Sequence, residues 1–180
     1  MEFNYENEIN ICDHYKLCGG CIDLDKEYKK QVEEKKEKVK NYFLENDIME
    51  FPLTDVIQSP QIYEYRNNME LSFGDLEIGG ELQLGMHLRG KKYDVVTIDG
   101  CYLIDSDFRK IIKTMIDFFR KTKLKKYHVT RRKGHLRHLK IRKGINTGEI
   151  LINLFTTSQK EPYLEPLIED IKKLDYKGEL

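Results

Sequence analysis

The sequence contains no tryptophan, only four prolines among 180 residues, no Gly/Ser-rich linker and no internal repeat. These absences exclude a solenoid or a string of tethered domains, and the length bounds the chain to one domain or a domain and a fraction. There is no long hydrophobic run: the most apolar stretch, residues 150–155, is far too short to cross a bilayer. The opening MEFNYENEIN has neither a basic region nor an apolar one, so it is not a signal peptide. A cytoplasmic protein that avoids membranes and works as a monomer is therefore expected. No Walker loop, no G-x-G-x-x-G and no Ser-His-Asp signature is present, so the sequence offers binding chemistry without a complete catalytic site. Disorder is excluded too, because 39 % of residues are hydrophobic and 11 Tyr and 8 Phe accompany them.

What is present begins with periodicity. Tyr28, Val32, Val39 and Phe43 form one stripe of a Lys/Glu-rich helix predicted over 24–46. Met69-Glu70-Leu71-Ser72-Phe73 alternates as a half-buried strand, and so does the stretch 82–88 beyond a glycine-bearing turn. A short strand over 95–98 ends at Asp99-Gly100-Cys101. Phe108, Ile111, Ile112, Met115, Ile116 and Phe119 predict the clearest helix, capped by Asp105 or Ser106. Residues 136–142 and 149–155 predict another strand pair, and a last helix should run from near Pro162 toward Leu174. Helices interleaved with antiparallel pairs indicate an α+β fold, an antiparallel β-sheet with packed helices. The expected organisation is a lead-in and Cys-rich loop over 1–23, then a central domain over 24–180.

Three of the four cysteines fall within ten residues, Cys12, Cys18 and Cys21, with Gly19-Gly20 between the last two; Cys101 follows far downstream. Three close thiols and one distant one resemble in logic a plant-type iron–sulfur ligand set. Structural zinc stays open, although only one C-x2-C pair is present. A thioredoxin-like Cys18–Cys21 pair would leave Cys12 and Cys101 unused. Two disulfides would need an oxidising compartment, and scattered buried cysteines fit poorly with the clustering. His14, inside the loop, is a weaker fifth ligand candidate.

The net charge of zero conceals an asymmetry. Between Arg109 and Lys143 fifteen Lys and Arg meet one acid, Asp117, a net +14 that the rest of the chain balances with −14. Such a run repels itself unless an anion is near, and phosphate is the natural partner. Part of it must simply be solvated helix surface. Arg131-Arg132-Lys133 is harder to explain that way, and Tyr127, His128, His135 and His138 interleave rings that stack on unpaired bases. His135 and His138 are spaced to fall on opposite faces of a strand, which argues against joint metal ligation.

Taken together the segments resemble the bacterial RNA (uracil-5-)-methyltransferases of the 23S ribosomal RNA type, whose relatives act on transfer RNA. The resemblance rests on Cys12-Asp-His-Tyr-Lys-Leu-Cys18-Gly19-Gly20-Cys21, on Tyr65-Arg66-Asn67-Asn68-Met69-Glu70-Leu71-Ser72-Phe73-Gly74 and on Leu84-Gly85-Met86-His87 through Ile98-Asp99-Gly100-Cys101. Leu136-Arg137-His138-Leu139-Lys140-Ile141-Arg142 followed by Asn146-Thr147-Gly148-Glu149 completes it. The resemblance implies a [4Fe–4S] cluster held by Cys12, Cys18, Cys21 and Cys101. It implies a central domain that holds folded RNA, with Arg66, Asn67, Arg89, Arg131, Arg132, Lys133, Arg137 and His138 as candidate contacts. It further implies methyl transfer from S-adenosyl-L-methionine, in which a cysteine thiolate adds to C6 of uracil so that C5 takes the methyl group. All four cysteines here match cluster ligands, so the cofactor domain and its nucleophile are expected beyond this stretch. The 180 residues alone are expected to be inactive.

Overall fold

Strict alternation gives a strand one face for a core and one for solvent. In the computed structural model of the protein, the two alternating segments, 69–73 and 82–88, are neighbouring strands inside one sheet. The structure describes residues 9–48, 50–158 and 162–180; most of the predicted acidic lead-in, residues 1–8, lies outside them. The elements are α1 (Tyr28–Glu45), β1 (Asn68–Asp75), β2 (Leu82–His87), β3 (Val95–Thr97), α2 (Ser106–Arg120), β4 (Leu136–Lys143), β5 (Ile150–Thr156) and α3 (Glu165–Lys172). The strand order is β3-β2-β1-β4-β5, with every neighbouring pair antiparallel. The α+β fold predicted from the sequence is the fold observed.

Two compact units divide the chain. Cys12–Ile22 joins Glu64–Leu180 in one, and the other includes Asp23–Tyr63 with residues 9–11. The cysteine loop therefore folds with the sheet rather than with the lead-in, whereas the organisation expected from the sequence divides the chain after residue 23.

The core of the sheet unit lies between the strands and α2. Met69, Leu71 and Phe73 of β1, Leu84 of β2, and Leu139 and Ile141 of β4 are buried with Phe108, Ile111, Ile112, Met115, Ile116 and Phe119 of α2. The Phe73 ring meets Phe119 edge-on at 5.5 Å. Of the two caps the sequence offered, Asp105 is the one used: its carboxylate accepts the Phe108 N–H at 3.2 Å. Two glycines are dictated by close approach. A Cβ on Gly85 would lie 2.0 Å from the Val96 carbonyl oxygen, and Gly134, at φ +105°, would bring one to 1.9 Å from that of Lys126.

Three details differ from the sequence expectation. α1 begins at Tyr28, and none of its residues is buried; Val39 is 45 % exposed, and only Phe43 finds a ring, stacking on Phe51 at 4.6 Å. Its stripe satisfies helical periodicity, but periodicity does not supply a surface to pack against. α3 begins at Glu165, with a proline in its first turn, rather than near Pro162. Finally, β4 carries a bulge: Leu136 pairs with Thr156 and His138 with Phe155, leaving Arg137 extra. The extra residue breaks the period-two count that sets His135 and His138 on opposite faces.

Candidate metal centre and nucleic-acid interface

The cysteine loop is tight and pinned to the end of β2. Tyr15 and Cys18 donate their N–H groups to the carbonyls of Cys12 and His14, both at 2.8 Å, and Lys16 takes a left-handed conformation, φ +69°, to close the turn. Gly19 donates to the His87 carbonyl at 3.0 Å, and Arg89 N–H to that of Leu17 at 2.9 Å. The Arg89 side chain, a candidate RNA contact in the sequence, acts locally instead. Its guanidinium binds the Cys21 carbonyl and lies 5.8 Å from the centre of the Tyr15 ring. The turn after β3 meets the loop from the other side, with Cys12 Sγ 3.7 Å from the Gly100 carbonyl and His14 Nε2 3.9 Å from Asp99.

All four cysteines are free thiols. Burial pushes Cys101 up to about 11, and the charges of Cys12, Cys21 and Cys18 add to it. Cys12 and Cys21 are raised as well, by burial first and then by neighbouring thiols; Cys18 acts on both, and Cys12 on Cys21. The four thiols therefore lie near enough to act on one another electrostatically. Gly20 N–H donates to Cys18 Sγ at 3.3 Å, as a sulfur ligand requires. Among the described residues, however, no three of His, Cys, Asp and Glu are gathered so as to hold a metal ion. The expected ligand set is thus not drawn together into a closed coordination shell.

The basic stretch is less bare than its sequence suggests. Arg109 pairs with Glu64 at 2.5 Å, Lys110 with Asp175 at 3.8 Å, Lys113 with Asp117 at 2.9 Å and Arg120 with Glu81 at 2.9 Å. Lys126 pairs with Asp75, Lys140 with Glu70 at 3.9 Å, and Lys143 with Asp105 and Asp107, both at 2.6 Å. The argument that fifteen bases demand an external anion fails for these seven, because tertiary contacts bring acids from outside the run to six of them and Asp117 lies one turn along α2 from Lys113. Among the described residues Lys121, Lys123, Lys125, Arg131, Lys133, Arg137 and Arg142 form no ion pair; the first five lie around the turns that follow α2. Arg131, Arg132 and Lys133 are all exposed.

The remaining candidates divide between framework and surface. Asn67 Nδ2 donates to the Lys143 carbonyl at 3.2 Å, and Arg66 reaches Met69 Sδ at 3.7 Å; both brace the start of β1. Arg137, set outward by the bulge, covers the Tyr127 ring at 5.1 Å. His138 Nδ1 lies 3.5 Å from Ser72 Oγ, which lies 3.5 Å from His87 Nε2 on its other side. Sequence reasoning missed Ser72, His87 and Phe155. The only signal for them was their parity, which puts them on the strand face away from the core.

Along that outward face the registers form rows. Phe155, His138 and Ser72 are successive partners across β5, β4 and β1. Asn153, Lys140 and Glu70 make the second row, and Leu151, Arg142 and Asn68 the third. Phe155 is 47 % and Leu151 54 % exposed, and none of the nine is buried.

No family model matches the chain. It is 43 % identical over 169 residues to a Clostridium tetani protein, and 44 % identical over 169 residues to a Clostridium acetobutylicum protein. Each is named an uncharacterized RNA methyltransferase, and each alignment takes in 94 % of this chain and 37 % of the relative. A similarly named protein of Caldanaerobacter subterraneus is 35 % identical, with 94 % of this chain and 37 % of that protein covered. The chain thus spans little more than a third of the length of the curated relatives it matches. In fold it resembles Pyrococcus abyssi tRNA (uracil-54, C5)-methyltransferase, solved with S-adenosyl-L-homocysteine. That match has a TM-score of 0.60 and 24 % identity, and covers 83 % of this chain and 33 % of the other. Among the described residues no helix is long and apolar enough to cross a membrane.

Proposed function

We propose that this chain is the RNA-holding part of an S-adenosyl-L-methionine-dependent RNA (uracil-5-)-methyltransferase, acting on 23S ribosomal RNA, with transfer RNA as the second candidate. The observation that carries this reading is the 43–44 % identity over 94 % of the chain to proteins named RNA methyltransferases. The fold likeness to a tRNA uracil methyltransferase agrees with it and keeps transfer RNA open. On this reading the protein is a cytoplasmic monomer. Arg131, Arg132 and Lys133 meet phosphates, and Arg137 and His138 meet the RNA beside them. Arg66, Asn67 and Arg89 shape the surface more than they touch RNA.

The reading includes a [4Fe–4S] cluster held by Cys12, Cys18, Cys21 and Cys101. The donor set fits: four thiols share one neighbourhood, and a glycine N–H is aimed at one sulfur. Among the described residues these side chains are not gathered into a group that could hold a metal ion. When bound, the cluster supplies metal–thiolate bonds that tie the loop to the turn after β3. The chain's own residues prepare that tie: Gly19 and Arg89 fix the loop on β2, and Gly100 accepts from Cys12.

Two measurements test the proposal. Anaerobic reconstitution should yield iron and sulfide in near-equal amounts with little zinc; zinc in their place overturns the cluster. RNA affinity should fall steeply as salt rises from low to physiological concentration. Replacing Arg131 by Ala, Arg132 by Asn and Lys133 by Ala should lower the log–log salt slope by roughly 2 to 3. Asn is chosen because Arg132 sits at φ +51°, which Asn tolerates. Reversible reduction of the reconstituted chain with no RNA binding at low salt would instead indicate a ferredoxin-like carrier.

A further inference from the structure

We infer that the outward face of the sheet is a stacking platform for an unpaired RNA base, with Phe155 as the ring beneath the base and His138 at its edge. The inference rests on the RNA-binding reading above and says which surface takes which part of the RNA. Phe155, the penultimate residue of the edge strand β5, keeps 47 % of its surface exposed, which leaves a ring face for a partner to cover. Phe155 ends its row on the edge strand, with His138 next to it and Ser72 beyond, and Ser72 Oγ stands 3.5 Å from His138 Nδ1 and 3.5 Å from His87 Nε2. The Ser72 contact holds His138 beside Phe155, its direct partner across β4 and β5. It leaves His138 Nε2 without a hydrogen-bond partner among the described residues, able to meet the edge of a base.

The surroundings select the occupant. Lys140 and Arg142 follow His138 on the same face of β4, at steps of two residues, about 6.8 Å along the strand. Such a spacing suits successive phosphates of an extended strand. Arg137, which the bulge keeps at the surface, adds a guanidinium at the other end. Among the nine residues of the three rows Glu70 is the lone acid, and Lys140 lies 3.9 Å from it. A protein partner would favour an apolar centre depleted in charge, but here only Phe155 and Leu151 are apolar. A duplex keeps its bases stacked on one another and offers no free face to Phe155. A looped or single-stranded segment has both the open base and the closely spaced phosphates.

The test uses the purified chain with a uridine-rich single-stranded oligonucleotide and a duplex of equal length, at low salt, by fluorescence anisotropy. Phe155→Leu keeps the apolar bulk and removes the ring, and it should weaken single-strand binding by roughly 5- to 100-fold. Phe155→Tyr should stay within about threefold of the wild type, and duplex binding through the basic turns should not respond to Phe155→Leu. Matching thermal unfolding of both variants confirms that the fold is intact. Wild-type affinity for single strands in Phe155→Leu, with the salt dependence retained, overturns the platform and leaves the RNA reading standing. Absence of RNA binding by the wild-type chain removes both. Protection of β5 from hydrogen exchange by added protein and not by RNA assigns the face to a protein partner, and also overturns the proposal.

Discussion

Asp107 is fully buried yet charged, and its surroundings explain how. Burial alone would raise its carboxyl. Three donors outweigh it: the Lys143 ammonium at 2.6 Å, and the backbone N–H groups of Lys177 at 2.9 Å and Gly178 at 3.0 Å. The net shift is downward from 3.8. A carboxyl lowered by folding contributes stability that is complete above its unfolded value and is lost as pH falls through the folded one. Lys143 is shifted upward from 10.5: burial lowers it, and bonds to Asp105 and Asp107 more than restore it. Its contribution is complete below 10.5 and is lost only at higher pH. Acid unfolding should therefore set in below about pH 4, with the plateau extending to the alkaline side. Asp107→Asn removes one partner of a buried pair and should cost about 3 kcal/mol at neutral pH. The variant should also lose part of the acid dependence, as urea titrations at neutral pH and at about pH 3.5 would read. An equal stability difference at both pH values would refute this account.

α1 and α2 both carry apolar stripes, and of the two only α2 buries its stripe. Ile112 of α2 is fully buried between helix and sheet, whereas Val39 of α1 is 45 % exposed. Ile112→Ala should cost about 2–5 kcal/mol and Val39→Ala less than about 0.5 kcal/mol. Similar losses from the two would mean that α1 is packed after all. The cysteine loop shows the same dependence on tertiary partners, since its four hydrogen-bonded anchors reach β2 or the loop itself. Cys101→Ala should abolish iron uptake and speed trypsin cleavage at exposed Lys16. Undiminished iron in that variant would remove the cluster assignment.

At the scale of the whole molecule, the sheet is antiparallel throughout. It therefore lacks the crevice at the carboxyl ends of parallel strands where dinucleotide-like cofactors dock. Three of the four thiols are raised by burial, opposite to what a nucleophile at neutral pH needs. These 180 residues alone should transfer no labelled methyl group from S-adenosyl-L-methionine to RNA. They should also bind that cofactor no better than millimolar. Transfer by the chain alone, or micromolar cofactor affinity by calorimetry, would contradict this.

Local pattern was enough for what depends on neighbours along the chain. The alternation in 69–73 and 82–88, the 3.6-residue period of α2 and the Asp105 cap each declare an element and its buried face, because side-chain direction repeats with backbone geometry. The grouping of Cys12, Cys18 and Cys21 was equally plain. What the sequence could not decide was who meets whom. Seven bases of the run found acids, most of them outside it, Arg89 turned to the cysteine loop, and one extra residue at Arg137 reset the faces of β4. The row of Phe155, His138 and Ser72 joins three strands distant in sequence, and its exposure depends on which face the helices cover. Those are consequences of register and packing, which act between residues far apart in the chain and leave no local periodicity to read.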